Sequence, residues 1–380
     1  MLSSESRFAD FPTLRRMTYL NTAAESIPPK SVGEAIERYW QDKLRGMDGR
    51  DGHFAQVEAC REISAKTVGL QTDEVSFCSC SSEAYNLLAS ALDLGPDDGV
   101  VVTDLDFPAG ATPWLRAVRP PQVGLWKANT AGELELGDLL PLLGPKTRLV
   151  QVSLVSFFNG FRVDWQPFRD AVRRQAPNAA ISVDVTQALG RIPLNCDDAD
   201  ILISSTHKWT LGIHGGCVVG IPRDRADRLT THAGGWLHLA NAFEADRFEQ
   251  AITKPGAASF SVGMPNFVAL YALNASLRYL DDIGIDAICR HADPLVAKVA
   301  DGITDLGLSP MTPHRLERPT GIVAFRHDQA AAIEQRLRSE DVHVMHHAGR
   351  IRIAIHGYNT ADDIDKLLDL LRTTLREVTK

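Results

Sequence analysis

The segment Ile201-Leu-Ile-Ser-Ser-Thr-His-Lys-Trp209 carries the strongest chemical signal in this 380-residue chain. An apolar run gives way to hydroxyl residues and then presents Lys208. Ligands of open α/β sheets collect at the carboxyl ends of strands, so Lys208 stands where chemistry is expected. Partly desolvated there, a lysine sheds its proton and forms an imine with an aldehyde. An isolated lysine would read instead as a solvated loop residue.

Lys208 is not isolated. A second buried-type run, Ala180-Ile-Ser-Val-Asp-Val185, ends with Asp184, and Gln187 follows. A carboxylate at a strand end can pair with a protonated pyridine nitrogen and keep the ring an electron sink for carbanions. Alone, Asp184 reads as a helix N-cap or a loop salt bridge. A third segment, Cys78-Ser-Cys-Ser-Ser-Glu-Ala-Tyr-Asn86, runs from strand into helix with Ser81 and Ser82 at the junction. Free backbone N–H groups and the helix dipole attract phosphate there, although any serine-capped helix has the same sequence.

Short β-branched runs alternate with longer amphipathic segments, the pattern of a mainly parallel sheet covered by helices. The expected strands are Val75–Cys78, Val100–Thr103, Leu149–Val155, Ala180–Val185 and Ile201–Ser204, with Gly216–Ile221 as a hairpin-like return. Glu83–Leu92 carries Ala84, Leu87, Leu88, Ala91 and Leu92 on one helical stripe. After Pro265 a helix over 266–280 leads into a helix-rich region with three short strands, Gly321–Phe325, Val342–Met345 and Ile351–Ile355. Thr360 can cap a last helix running to Val378, whose first turn holds Asp362 and Asp363. The expected units are an N-terminal arm (1–20) packed near the junction, a large α/β domain (21–260) and a smaller α+β domain (261–380).

A formal charge of −8 argues against a nucleic-acid partner, since phosphate backbones bind basic faces. Met1 to Asn21 has no continuous apolar segment, and no stretch reaches the roughly 18 apolar residues of a membrane span. Six scattered cysteines (Cys60, Cys78, Cys80, Cys196, Cys217 and Cys289) make a disulfide framework or a zinc site a poor reading. His343, His346 and His347 lack the carboxylate or cysteine that would complete a metal set. The expectation is a soluble cytoplasmic protein without a metal.

In this order and spacing the three chemical segments resemble the class V aminotransferase family of pyridoxal-phosphate (PLP) enzymes, fold type I. The resemblance runs from Tyr19-Leu-Asn-Thr-Ala-Ala24 to Arg352-Ile-Ala-Ile-His-Gly-Tyr-Asn359. It implies a large mainly parallel sheet, a smaller C-terminal α+β domain, a homodimer and a small amino-acid substrate. It makes Lys208 the Schiff-base lysine, Asp184 the partner of the pyridine nitrogen and Gln187 a donor to the phenolic oxygen. Ser81, Ser82, Ser205 and His207 would surround the phosphate, and Phe107 would stack on the ring. Arg352 would bind the substrate α-carboxylate through two parallel hydrogen bonds, with Asn21 beside it. Arg350, in the same strand, reads as an exposed arginine.

This sequence departs from the desulfurases of that family in two places. The segment Val342 to Arg350 has no cysteine where they carry their nucleophile, and Phe157 replaces their asparagine beside the cofactor. Gly263-Met-Pro-Asn266 matches a segment that lends a phosphate donor across the dimer, but methionine takes the place of a hydroxyl residue. Cys78 and Cys80 read as buried and structural. The expected activity is that of an aminotransferase or C–S lyase working without a persulfide cysteine. The alternatives are an epimerase or racemase of the isopenicillin N epimerase-like type, and a non-catalytic PLP-binding protein. A nucleotide-dependent oxidoreductase would require a Gly-x-Gly-x-x-Gly turn, which is absent.

Overall fold

The computed structural model describes residues 1–312 and 318–378. Its twelve strands are β1 (Thr18–Tyr19), β2 (Val75–Cys78), β3 (Gly99–Thr103), β4 (Gln122–Trp126), β5 (Thr147–Ser153), β6 (Ala180–Asp184), β7 (Ile201–Ser205), β8 (Cys217–Gly220), β9 (Ile322–Arg326), β10 (Val342–His343), β11 (Met345–His347) and β12 (Arg350–Ala354). Seven form one sheet in the order β2-β8-β7-β6-β5-β3-β4, in which only β8 runs against the rest. The fold is the expected mainly parallel α/β arrangement, and β8 is the expected return strand.

Side-chain alternation explains why the sheet is buried on both faces. Ile181, Val183 and Leu202 point into one core, while Ala180, Ile201 and Ile203 point into the other. The first core includes the helices Arg50–Val68, Trp165–Gln175 and Phe267–Ile283; the second includes Ser81–Leu92 and Trp114. The helix Phe267–Ile283, expected with the C-terminal strands, thus places Leu270, Leu273 and Leu277 in the core of the large sheet.

A second body holds β12 between β9 and β11, backed by the helices Ile285–Asp305, Ala330–Ser339 and Ala361–Val378. The last helix starts as expected: Thr360 Oγ1 accepts from the Asp363 N–H, and Asp363 accepts from the Thr360 N–H. The N-terminal arm docks beside it. Arg7 pairs with Asp363 at 3.0 Å, and the Phe11 ring lies 5.2 Å from that of Tyr358.

Three strands differ from expectation, the first being the two-residue β1, which was not anticipated. Gln122–Trp126 was not anticipated, because this edge strand is partly exposed and buries only Trp126. The expected strand Val342–Met345 is broken: β10 pairs with β1, whereas β11 pairs with β12. Among the described residues, no helix is long and apolar enough to cross a membrane.

Candidate active site

Six of the seven strands run in one direction, so their carboxyl ends lie at one edge of the sheet. Ser153 of β5 stands beside Asp184 of β6, and Asp184 beside Ile203 of β7. β2 opens into the helix Ser81–Leu92, and β3 leads into Asp106 and Phe107. After Gln187 the chain turns at Gly190, whose φ is +90° and where a Cβ would lie 2.4 Å from the Trp209 carbonyl oxygen. Only glycine permits that approach, and it seats the Gln187 turn against the residue following Lys208.

Asp184 is buried and held by two donors. Tyr85 Oη donates to Oδ2 at 2.9 Å, and the Thr186 N–H donates to Oδ1 at 2.8 Å. Gln151 Nε2 donates to Tyr85 Oη at 3.4 Å, while Thr186 Oγ1 accepts from the Ser205 N–H at 3.1 Å. A second carboxyl lies nearby. Burial pushes Asp106 up to about 7; the Ser153 N–H, 2.6 Å from Oδ1, opposes this and the Asp184 charge adds to it. Asp106 Oδ2 is buried without a partner among the described residues.

The Lys208 amine sits 5.4 Å from the centre of the Phe107 ring. Burial lowers it to about 8; Asp184 pulls it back up and Arg352 pushes it down. About a tenth of it is therefore neutral and nucleophilic at pH 7, against less than about a thousandth for an ordinary lysine. Trp209 Nε1 donates to Gln187 Oε1 at 2.6 Å, and Gln187 Nε2 donates to the Ala23 carbonyl at 3.0 Å, leaving one amide hydrogen free. His207 stacks on His214 with ring centres 4.2 Å apart and is lowered to about 4 by burial, aided by the Lys208 and His214 charges. Ser81 and Ser82 occupy the first two helix positions, whose N–H groups have no acceptor within the helix. Glu83, the third helix residue, reaches back over this N-terminus and accepts from Ser79 N–H and Oγ, each at 2.6 Å.

The second body reaches this cleft through β12. Asn21 bridges to Ala354, and Ser26, further along the same segment, donates its N–H to the His207 carbonyl at 2.9 Å. Arg352 is 2% exposed and donates from Nη1 to the Phe157 carbonyl at 2.7 Å. Burial, with Arg350 beside it, lowers the guanidinium to about 9, and Tyr19 opposes this. Among the described residues, Arg352 Nε and Asn21 Oδ1 are both buried without partners.

Two expectations are corrected. Arg350 is not an exposed strand arginine but 1% exposed, because β12 is the middle strand of its sheet and is covered on both faces. Cys80 is not buried: β2 ends at Cys78, so strand alternation stops before Cys80, whose thiol is exposed. Met264, in the Gly263–Asn266 segment, is also exposed. His343 stacks loosely on Tyr19, and among the described residues no three His, Cys, Asp or Glu side chains converge on a metal position.

Sequence reasoning passed over Tyr85, Asp106, Thr186 and the buried Arg350. Tyr85 stands on the same buried stripe as Ala84 and Leu88, four residues after Ser81, and a hydroxyl there needs a partner. Asp106 follows β3 as Asp184 ends β6, and that parallel was the available signal. Arg350 alternates with Ile351 and Ile353 and so gives no sign of its burial.

The class V aminotransferase family profile matches residues 18–367. An uncharacterized aminotransferase, YcbU, of Bacillus subtilis strain 168 is 28% identical, covering 94% of this chain and 95% of that protein. A probable cysteine desulfurase of Pyrococcus abyssi is 24% identical over 97% of each chain. The apo cysteine desulfurase of Thermococcus onnurineus NA1 superposes with a TM-score of 0.87, 22% identity and 99% of each chain covered. The cystine C–S lyase C-DES, solved with its product cysteine persulfide, gives a TM-score of 0.85, 21% identity and coverage of 95% of this chain and 99% of that one. These structures establish the shared fold.

The residues here suit a pyridine aldehyde bearing phosphate and an amino acid joined to it. The desolvated Lys208 amine feels the charges of both Arg352 and Asp184, whose carboxylate is fixed by two donors, and among the described residues Arg352 Nε and Asn21 Oδ1 are buried without partners. The profile match and the chemistry of this cleft agree: the chain belongs to the class V aminotransferase family of pyridoxal-phosphate enzymes.

Proposed function

We propose that this enzyme acts on a small amino acid, with Lys208 both anchoring the cofactor and carrying the proton. The observation that supports this reading is the buried Lys208 amine, lowered to about 8 and facing Asp184 and Arg352 charges of opposite sign. Pyridoxal phosphate, once joined to the substrate nitrogen, withdraws electrons from the bonds at the α-carbon. Asp184 would keep the ring nitrogen protonated, its carboxylate fixed by Tyr85 and Thr186. The free Gln187 amide hydrogen would meet the phenolic oxygen, and the Phe107 ring would cover the cofactor face. Ser81, Ser82, Ser205 and His207 would hold the phosphate, helped by the helix N-terminus. Arg352, with Asn21, would orient the α-carboxylate and so decide which bond at the α-carbon lies in line for cleavage.

The reaction we favour is aminotransfer or C–S elimination without a persulfide cysteine. Phe107 stands opposite Lys208 and cannot carry a proton, so proton transfer on the substrate falls to Lys208. A single shuttle suits those reactions better than a two-base epimerisation. The reading extends to a cytoplasmic homodimer in which Gly263 or Met264 of one subunit offers a backbone donor to the other subunit's phosphate. The part spanning 21–260 would hold the cofactor, and 261–380 would supply Arg352.

Borohydride treatment of the PLP-loaded enzyme, followed by peptide mapping, should place the cofactor on Lys208. Lys208→Ala should fold without that label. Amino donors, 2-oxo acids and sulfur amino acids would then be screened for keto acid and sulfide release. Arg352→Lys should weaken amino-acid binding about tenfold or more while leaving the resting spectrum normal. A wild-type protein that shows no cofactor absorption after incubation with PLP would overturn the reading.

A further inference from the structure

Three arginines gather on the small-sheet side of the cleft. Arg326 of β9 pairs directly with Arg350 of β12, and Arg350 shares one strand face with Arg352, two residues on. Both β12 arginines are at least 98% buried, at 1% and 2% exposure. Among the described residues, none of the three forms an ion pair with a carboxylate.

Arg350 is the least provided for. Among the described residues its Nη1 reaches only His347, the carbonyl oxygen and Nδ1 each at 3.3 Å, and its Nε is buried without a partner. Its guanidinium carbon lies 4.0 Å from the centre of the Phe158 ring, which Arg326 approaches to 5.7 Å. Stacking on an aromatic face recovers part of the hydration that such a cation gives up, but it does not neutralise the charge. A buried cation without a counter-ion is costly in a folded protein, and an anionic ligand removes that cost.

Phe157 joins this cluster to the reacting end of the site. Its carbonyl holds Arg352, its ring centre lies 5.9 Å from the Arg350 guanidinium, and the ring packs edge-on to Phe107 at 5.1 Å. Phe107 in turn faces Lys208. Residues two apart on a strand are separated by roughly 6.6 Å, about the span of a short dicarboxylate gripped at both ends. Resting on the assignment of Arg352 to the α-carboxylate, we propose that Arg350, backed by Arg326, is a subsite for a second acidic group. The substrate is then an anionic amino acid with a carboxylate on a short side chain.

Non-reacting mimics test the subsite directly. The PLP-loaded enzyme would be titrated calorimetrically with glutarate and with butyrate, which carries one carboxylate fewer. Glutarate should bind about tenfold tighter or better, the size of one charged hydrogen-bonded contact. Arg350→Leu should cut that ratio to about threefold or less, and Arg326→Leu, at an exposed position, should lower it by a smaller factor. If Arg350→Leu does not fold, Arg350→Gln makes the same test while keeping a donor for the His347 carbonyl. Glutarate binding that is absent, no tighter than butyrate, or equally preferred in the Arg350 variant overturns the proposal. Failure of the amino-acid reading looks different: neither L-alanine nor L-glutamate would then perturb the cofactor spectrum of the wild-type enzyme.

Discussion

Tyr85 donates a 2.9 Å hydrogen bond to Asp184 Oδ2 from the helix whose first residues are Ser81 and Ser82. One helix therefore serves both ends of the proposed cofactor, with its N-terminus toward the phosphate and its second turn toward the carboxylate that would meet the ring nitrogen. In Tyr85→Phe, Asp184 keeps the Thr186 donor but leaves one buried oxygen unsatisfied, a loss of about 1–3 kcal/mol. Urea unfolding of the cofactor-free protein should register that loss. Turnover should fall, though less than in Asp184→Ala, where the carboxylate itself is gone. Equal turnover in wild type and Tyr85→Phe would show that Thr186 alone fixes the carboxylate.

The Lys208 amine provides a pH signature. Its value of about 8 means that it loses its proton well below the ordinary lysine value of about 10.4. The rate of borohydride-trappable PLP uptake by cofactor-free protein should therefore rise with pH and level off above about 8. Asp184 raises the lysine and Arg352 lowers it. Asp184→Asn should accordingly shift the midpoint down, and Arg352→Leu should shift it up. A wild-type midpoint near that of free lysine would mean that the amine is solvated and the cleft open.

Asp106 carries the opposite kind of shift. Its folded-state value of about 7 stands above the ordinary aspartate value of 3.8, mainly because it is buried. A carboxyl raised in the folded state favours folding most at low pH, and that contribution is lost as pH rises through about 7. Asp106→Asn, which cannot ionise, should therefore gain stability relative to wild type between about pH 4 and pH 7. Thermal melts of both proteins across that window measure the difference. A constant gap would place Asp106 in contact with a cation or with water.

Much of the sheet was legible because parallel strands buried on both faces leave continuous apolar runs, and Ile201–Ser205 and Ala180–Asp184 are such runs. Lys208 and Asp184 stood out because each ends one of them. What stayed hidden depends on distance between segments. Gln122–Trp126 alternates too weakly to announce an edge strand, and the burial of Arg350 depends on β9 and β11 flanking β12. Tyr85 was visible as a helix-face residue, but its partner lies 99 positions away in sequence. Cys80 illustrates a boundary error, since its exposure follows from a strand that stops two residues earlier.

The cysteines give a prediction about sulfur chemistry that is negative and sharp. A desulfurase needs a thiolate that attacks the substrate sulfur and carries it away as a persulfide. Val342 to Arg350 contains no cysteine, and β11, inside that segment, is occupied by Met345, His346 and His347. Burial pushes Cys60 and Cys196 up to about 12 and also raises Cys78 and Cys217 well above the ordinary thiol value, so the thiolate form is disfavoured at all four. Cys289 is also raised by burial, and its thiol donates to the Arg191 carbonyl at 3.3 Å. Cys80 alone is exposed, at the N-cap of the helix Ser81–Leu92, toward the proposed phosphate rather than the substrate side. Any sulfur released from a substrate should therefore leave as sulfide or a thiol by direct elimination. Cys80→Ala should retain most of the turnover, and so should a variant with all six cysteines replaced, provided circular dichroism shows that it folds. Mass spectrometry after turnover should find no added sulfur on any cysteine. A persulfide on Cys80, lost together with activity in Cys80→Ala, would instead make that helix cap the sulfur acceptor.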